Sequence, residues 1–189
     1  VLSPVLDPHE PIPDVDPARV ERWQGLSEAQ WFAPVADGLC ANLGVGGTGE
    51  DTIVVSAATS GAMRVLLHHQ PQEIPAGLWC YRIDDSRCLL GGALNDVGRA
   101  VSWLIDTLSL DDAVLNDIAA LPVSTDTPGV LPFLTGERST GWAGSARAVF
   151  SDVPPATAAP AMARGMLEGI AGSYRRVSDE LEAAAHSVE

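Results

Sequence analysis

The stretch from residue 36 to residue 66 constrains the fold of this chain more than any other part of it. It reads ADGLCANLGVGGTGEDTIVVSAATSGAMRVL. Two apolar runs of the β type, Thr52–Ala57 and Ala62–Leu67, flank a tight turn of small residues, Thr59-Ser60-Gly61. Short apolar runs around such a turn predict two adjacent strands, and hence the antiparallel start of a sheet.

The same stretch carries residue types that suit phosphoryl transfer. Asp37 comes just before a short predicted helix at Leu39–Leu43, and a glycine-rich turn follows at 44–49. A carboxylate can accept a proton, and a glycine-rich turn lets the backbone move. The tip at 59–61 can present N–H and O–H groups to a phosphate. From the residues alone, Asp37 is as readily a helix N-cap, and the tip an ordinary hairpin turn.

The chain continues in short elements after this hairpin. Two more strands, Gly77–Ile83 and Cys88–Gly92, are predicted around a turn at Asp84-Asp85-Ser86. The later predicted elements are a helix at Asn95–Leu108, a helix at Asp111–Leu121 with Asp111 and Asp112 in its first turn, strands at Val130–Leu134 and Arg147–Phe150, and a long helix at Thr157–Ala185. A run of strands followed by alternating helices and strands predicts an α/β layer fold.

The two ends of the chain differ in character. Residues 1–35 begin rich in proline and are expected to form an extended connector, with Asp16 capping a short helix that has Pro17 at its first position. Trp23 and Trp31 are expected to anchor this arm. The long last helix has glycines near a period of four, which predicts close packing against another backbone; they are Gly165, Gly169 and Gly172.

Charge and composition exclude some functions. The chain has 189 residues and a formal net charge of −14, which argues against a nucleic-acid partner because a phosphate backbone needs basic contacts. A nucleotide is still allowed, since a local glycine turn can bind phosphate in an acidic protein. No apolar run reaches the roughly 18 residues that span a membrane, and the start lacks the basic segment of a signal peptide. We therefore expect a cytoplasmic protein without a membrane partner. Its cysteines, Cys40, Cys80 and Cys88, are expected to be reduced and to bind no metal.

Four segments together resemble the FGGY carbohydrate kinases at the junction of their two lobes. They are residues 36–66, Gly77–Arg82, Gly91–Leu94 and Leu131–Ser139, and the last three are most similar to the gluconokinase branch. The resemblance runs from about Trp31 to about Leu181. It implies a ribonuclease H-like, actin-type ATPase fold, with residues 36–189 as a C-terminal lobe that stops before the adenosine motif, and residues 1–35 as the connector from the N-terminal lobe.

The resemblance also implies roles for single residues. Asp37 falls on the catalytic base of the family, and Thr59, Ser60 and Gly61 fall on its second phosphate-binding motif. Gly98 and Ser102 fall where family members approach the nucleotide. The glycine pair Gly91-Gly92, which precedes a helix, can admit an α-phosphate or ribose. From the residues alone, these glycines equally indicate close packing of a helix on a strand, and Ser102 a solvated helix face.

The chain departs from the family pattern at several places. Ala36 stands where glycine is common before the catalytic Asp, and Ala148 and Asp152 replace two glycines of the second family signature. These replacements put the local loop shape in doubt. Glu137-Arg138 is interpreted as a structural pair in a loop, and His68-His69 as surface residues without a partner at metal spacing.

The function implied by the resemblance is ATP-dependent phosphorylation of a sugar or sugar acid, with gluconate as the expected acceptor and Mg²⁺ bridging the phosphates. The alternatives are a pentulose kinase acting on xylulose or ribulose, and a non-catalytic actin-like binding module. The chain starts at Val1 and carries no phosphate loop of the N-terminal lobe, so we expect a fragment that is inactive alone and able to form a homodimer.

Overall fold

A computed structural model describes residues 6–13, 15–111, 114–122 and 124–186, with side chains up to residue 184. Its helices are α1 (Pro17–Arg22), α2 (Asp37–Gly44), α3 (Gly98–Leu108), α4 (Leu115–Ala120) and α5 (Ala159–His186), with a 3₁₀ turn at Gln24–Leu26. Its strands are β1 (Val54–Ala57), β2 (Gly61–Leu67), β3 (Trp79–Arg82), β4 (Cys88–Leu94), β5 (Gly129–Leu131) and β6 (Val149–Ser151). The predicted α/β fold is thus confirmed in its coarse form.

The centre of the fold is a four-stranded sheet in the order β1-β2-β4-β3, and every neighbouring pair is antiparallel. The two central strands pair from Gly61 opposite Leu94 to Leu67 opposite Cys88. Both are buried on both faces, except at Arg64, which explains why they are almost continuous apolar runs in the sequence. The predicted hairpins and the turn at 84–86 are therefore confirmed.

Helices cover the two faces of this sheet unequally. On one face, which we call the α5 face, Met63, Val65 and Leu67 of β2 join a large apolar core that includes Met166 and Val177 of α5. On the other, which we call the α2 face, lie Arg64, Leu66 of β2 and Leu89 of β4. There Leu66 and Leu89 pack against Leu39 of α2, with Trp79 and Ile83 at the border. The alternation of side chains along a strand sends Arg64 to the opposite face from its neighbours Met63 and Val65.

Glycines bring α5 against a second, two-stranded sheet formed by β5 and β6. A Cβ added at Gly165 would lie 2.5 Å from the carbonyl oxygen of Pro128, and one at Gly169 would collide with that of Val130. The predicted close approach is therefore confirmed at these two positions. It is wrong at Gly172, where an added Cβ meets no described atom within 4 Å.

Several local predictions need correction. Helix α4 begins at Leu115 and not at Asp111, and Asp112 lies outside the described residues. The prediction that Trp23 and Trp31 anchor the arm is wrong, since these residues are 60% and 39% exposed. In contrast, Asp16 caps α1 as expected, accepting a hydrogen bond from the Ala18 N–H with Pro17 as the first helical residue.

One of the two replaced glycines of the second signature keeps a glycine-like backbone. Asp152 has a φ of +55°, in the left-handed region that favours glycine, at the position where the family has one. Aspartate is one of the few other residues that adopt this conformation at moderate cost. The second replacement, Ala148, is half-buried just before β6 and has no positive φ.

Other polar side chains fasten the outer loops. Glu137 pairs with Arg176 of α5, its oxygen 2.8 Å from the guanidinium, so its partner is not the neighbouring Arg138. His69 contacts Glu50 across 3.1 Å, which ties the glycine-rich turn to the end of β2. Within the described residues the cysteines form no disulfide, and no helix is long and apolar enough to cross a membrane.

Candidate active site

The tip of the β1–β2 hairpin is held by the start of α3. The Gly98 N–H donates to the carbonyl of Ala58 over 2.8 Å. The N–H groups of Val97 and Arg99 donate to the carbonyl of Thr59 over 3.3 and 3.2 Å. The carbonyl of Ser60 accepts from the Ala58 N–H, which closes the turn. The tip therefore has a fixed position over the first turn of α3.

This arrangement gives Gly98 a packing role. A Cβ at Gly98 would lie 2.7 Å from the Ala58 carbonyl oxygen, so a side chain there would push the hairpin tip away. The amides of Gly98 and Arg99, in the first turn of α3, donate to carbonyls of the hairpin tip. The geometry thus favours the packing interpretation of Gly98, and its contact with a nucleotide stays a prediction.

Two residues of the tip are open to solvent. Thr59 and Ser60 are exposed, whereas Gly61 is buried under the phenol ring of Tyr174. The Tyr174 hydroxyl donates to the carbonyl of Ser56 over 2.7 Å, and burial raises the pKa of this phenol. Helix α5 therefore supports the hairpin from the α5 face and leaves the hydroxyls of Thr59 and Ser60 available.

The glycine pair of β4 lies inside the sheet. A Cβ at Gly91 would lie 2.7 Å from the ring of Trp79 on the α2 face, and one at Gly92 would lie 2.6 Å from Val177 on the α5 face. Both glycines are buried. The structure therefore uses them for packing, and their approach to a nucleotide stays a prediction.

Asp37 is the first residue of α2, and its side chain is exposed. The N-cap position belongs to Ala36, with an extended backbone and no capping side chain, so the interpretation of Asp37 as N-cap is wrong. The Asp37 carboxylate accepts one hydrogen bond, from the Gly38 N–H at 2.7 Å. Among the described residues it takes part in no ion pair. It is thus free to accept a hydrogen bond from a substrate hydroxyl.

Sequence reasoning missed Arg64. Its Nε atom lies 3.1 Å from the position that a Cβ on Gly38 would occupy, which places the guanidinium beside the start of α2. Its Nη1 atom donates to the Ser56 hydroxyl over 3.4 Å. The signal in the sequence was a single charged residue within an otherwise apolar strand, Gly61–Leu67.

The structure thus gathers the candidate residues into two neighbouring groups. The tip residues Thr59–Gly61 lie against Gly98, and the exposed Ser102 follows one turn later on α3. Asp37 and Arg64 form the second group. Arg64 is three residues beyond Gly61, which is roughly 10 Å along a strand.

Comparison with known proteins gives this arrangement a context. A gluconate kinase from Lactobacillus acidophilus superposes with a TM-score of 0.80 and 29% identity, over 93% of this chain and 37% of that one. A ligand-bound xylulose kinase from the same organism has a TM-score of 0.80 and 28% identity, over 93% of this chain and 36% of that one. A gluconokinase from Bacillus subtilis (strain 168) is 27% identical over 157 residues, which are 76% of this chain and 30% of that protein.

These neighbours are sugar kinases with an actin-like ATPase fold, and the antiparallel sheet with its helices agrees with that class. The model of the C-terminal domain of the FGGY family of carbohydrate kinases matches residues 53–189. The chain belongs to this family. It spans about a third of the length of the relatives above.

Proposed function

We propose that this chain is the C-terminal lobe, of ribonuclease H-like fold, of a carbohydrate kinase that uses ATP to phosphorylate gluconate. Residues 36–189 form the lobe in this proposal, and residues 1–35 form its connector. The observation that carries the proposal is the exposed carboxylate of Asp37 at the start of α2, the helix that packs on the sheet bearing the hydroxyl tip Thr59-Ser60. A proton acceptor and a phosphate-binding turn held by one rigid sheet are two of the parts that phosphoryl transfer to an alcohol requires.

Asp37 is the residue that receives the proton. Its exposed carboxylate can accept a hydrogen bond from the sugar hydroxyl and orient that oxygen toward the phosphorus atom.

The tip holds the phosphates in this proposal. The hydroxyls of Thr59 and Ser60 are donors, and the carbonyls of the tip are already occupied by hydrogen bonds within the protein. This donor set fits a phosphate. In this proposal Gly98 and Ser102 border the nucleotide. Gly91 and Gly92 allow Trp79 and Val177 to pack closely on the two faces of the sheet.

Magnesium fits this site only through the nucleotide. No group of His, Cys, Asp or Glu among the described residues could hold a metal ion by itself. When bound to ATP, Mg²⁺ neutralises part of the phosphate charge. The residues of this chain would therefore bind the phosphates and orient the acceptor.

Gluconate is favoured as the acceptor by two similarities. They are to the gluconokinases of Bacillus subtilis and Bacillus licheniformis, whereas the gluconate kinase and the xylulose kinase of Lactobacillus acidophilus superpose equally well. The second candidate is therefore a pentulose kinase acting on xylulose or ribulose.

An ADP-release assay on the full-length protein tests this proposal. Gluconate, xylulose and ribulose are each offered with Mg-ATP, and kcat/KM is compared. We expect the highest value for gluconate. A higher value for xylulose or ribulose would make the protein a pentulose kinase. Binding of Mg-ATP without turnover of any sugar would make it a non-catalytic actin-like module.

A further inference from the structure

Arg64 differs from the other arginines of the chain in its surroundings. Most of them form an ion pair with a carboxylate, namely Arg19, Arg82, Arg87, Arg99, Arg164, Arg175 and Arg176. Within the described residues, those that do not are Arg22, Arg64, Arg138 and Arg147. Arg64 is the one of these four that is partly buried.

A partly buried cation without an anion is costly, because burial removes hydration that no counter-charge replaces. In a protein with a net charge of −14, carboxylates are plentiful, yet none of the described ones lies within 4.0 Å of the Arg64 nitrogen atoms. The position of Arg64 therefore suits an anion that comes from outside the chain.

Two glycines lie next to Arg64, and the ring of Trp79 fills the space over one of them, Gly91. Gly38 lies against the guanidinium without a side chain, and Gly91 is the partner of Arg64 across the sheet. The Ser56 hydroxyl accepts one N–H from Nη1 and so orients the group. A guanidinium has five N–H donors in a planar fork, so a pair of donors remains for a bidentate ligand.

The position of Arg64 relative to the other site residues indicates which anion it binds. It lies beside Gly38, the neighbour of the proposed base Asp37, and roughly 10 Å along β2 from the tip that is proposed to hold the phosphates. The phosphoryl group in transfer has to pass between these two points.

We propose that Arg64 binds the phosphoryl group while it moves from ATP to the sugar hydroxyl, an inference that rests on the proposed kinase function. The bond from the acceptor oxygen to the γ-phosphorus forms as the bond to the ADP oxygen breaks, and the hydroxyl proton goes to Asp37. Negative charge is spread over the three equatorial oxygens at this stage. The fork of Arg64 donates two hydrogen bonds to them, which a lysine cannot do in the same geometry.

The test uses the full-length protein with Mg-ATP and gluconate. We expect Arg64→Gln to lower kcat about 10²-fold or more while KM for gluconate changes little, as for other donors to a transition-state charge. Arg64→Lys should recover only a small part of the loss. Added guanidinium should partly restore Arg64→Ala, an effect that a purely structural arginine would not show. Arg22→Gln, which changes an exposed arginine of the arm, is the control and should keep the wild-type rate.

The outcomes separate this inference from the proposed function. A wild-type protein without sugar kinase activity would overturn the proposed function itself. An active wild type together with an Arg64→Gln variant that keeps more than a third of its kcat would overturn the inference alone. A rise in KM for gluconate at unchanged kcat, absent with a neutral sugar, would assign Arg64 to the acid end of the substrate instead. If Arg64→Gln folds poorly, the guanidinium experiment decides, and absence of any rescue counts against the proposal.

Discussion

The two faces of the four-stranded sheet are built in different ways. On the α5 face, apolar side chains and glycines bring strands and helix into direct contact, as at Gly92 and Val177. On the α2 face, Leu66 and Leu89 pack against Leu39 of a helix two turns long. The other buried residues of the two central strands on this face are the small Ala62, Gly91 and Ala93.

Open space and polar groups occupy the rest of the α2 face. Arg64 lies toward the hairpin end, and a groove of about 520 Å³ lies at the opposite end, lined by Leu39, Tyr81 and parts of the arm. The stacked rings of Trp79 and Tyr81, 4.3 Å apart, form the border between them.

This contrast separates stability from chemistry. The α5 face is close-packed, so adding or removing one methyl group there changes the free energy of unfolding. The α2 face carries the proposed base and the unpaired arginine, so substitutions there should change ligand affinity and the turnover rate. Substitutions on the two faces test whether this division holds.

The largest effect is expected at Asp37. Asp37→Asn in the full-length protein should lower kcat by ~10²–10⁴-fold, the usual contribution of a general base. Binding of Mg-ATP should hardly change, and the unfolding free energy should fall by about 0.3–1 kcal/mol, since one charge at a helix start is lost. Steady-state kinetics and calorimetry measure these effects. Asp106→Asn, an exposed acid of α3, serves as control. A variant that keeps more than about a tenth of the wild-type rate would exclude the base role.

The next largest effect is a change in stability on the α5 face, and two glycines of α5 test it. Gly169→Ala should destabilise the 189-residue chain by about 1–3 kcal/mol, because the added methyl group collides with the Val130 carbonyl. Gly172→Ala meets open space and should stabilise it by about 0.5–1 kcal/mol through reduced backbone entropy. Equilibrium urea unfolding followed by tryptophan fluorescence compares the two. Equal effects of both substitutions would show that the close packing of α5 does not limit stability.

A smaller effect is expected where the backbone is left-handed. Asp152→Gly relieves a φ of +55° and should raise the unfolding free energy by about 0.5 kcal/mol, the net of relieved strain and added chain entropy. The same urea titration detects it. Asp152→Ala is the matched comparison and should destabilise, and a stabilising alanine would contradict the strain argument.

The smallest effect depends on pH and lies on the α2 side of the sheet. The His68 N–H hydrogen bond, with help from His69, holds the pKa of Glu50 below its ordinary value. A carboxyl with a lowered folded pKa stabilises the fold above its unfolded pKa of about 4.3, and this contribution is lost as the pH falls further through the lowered value.

Glu50→Gln should therefore destabilise the chain by less than about 0.5 kcal/mol at neutral pH, because the pair is exposed and screened by solvent. The difference from wild type should shrink as the pH falls below about 4.3 and disappear below the lowered pKa of Glu50. Thermal unfolding at a series of pH values measures it, with Asp51→Asn as control. A difference that grows toward low pH would have the wrong sign for this explanation.

The part of the fold that was predictable is the part that local chemistry determines. The runs around Gly61, the turn at 84–86 and the cap at Asp16 need only neighbouring residues to be recognised. The residue types of the site could be assigned only through the resemblance to a family. The surroundings of these residues could not be predicted, because contacts such as that of Tyr174 with Ser56 join residues that are far apart in the chain.

The errors have the same origin. Trp23 and Trp31 have large apolar side chains of the kind that often anchor a segment. Whether such a side chain is buried depends on a partner surface that a sequence pattern does not reveal. Gly98 is a different case, because its contact with a nucleotide stays a prediction: glycine also allows helix and hairpin to meet, and the pattern is identical in both cases. Arg64 was overlooked because one charge within an apolar strand does not disturb the pattern that predicts the strand.

The hydrogen bonding of the hairpin tip has a consequence for ion selectivity. The carbonyl oxygens of Ala58, Thr59 and Ser60 are all engaged by amides of the protein. Oxygens of this kind are the groups that attract Ca²⁺ or K⁺ to a loop. With these carbonyls engaged, the hydroxyls of the exposed Thr59 and Ser60 are the side-chain groups that the tip offers to a ligand. A strongly acidic protein, which as a whole concentrates cations around itself, thus keeps one point that is poor for cations and favourable for anions.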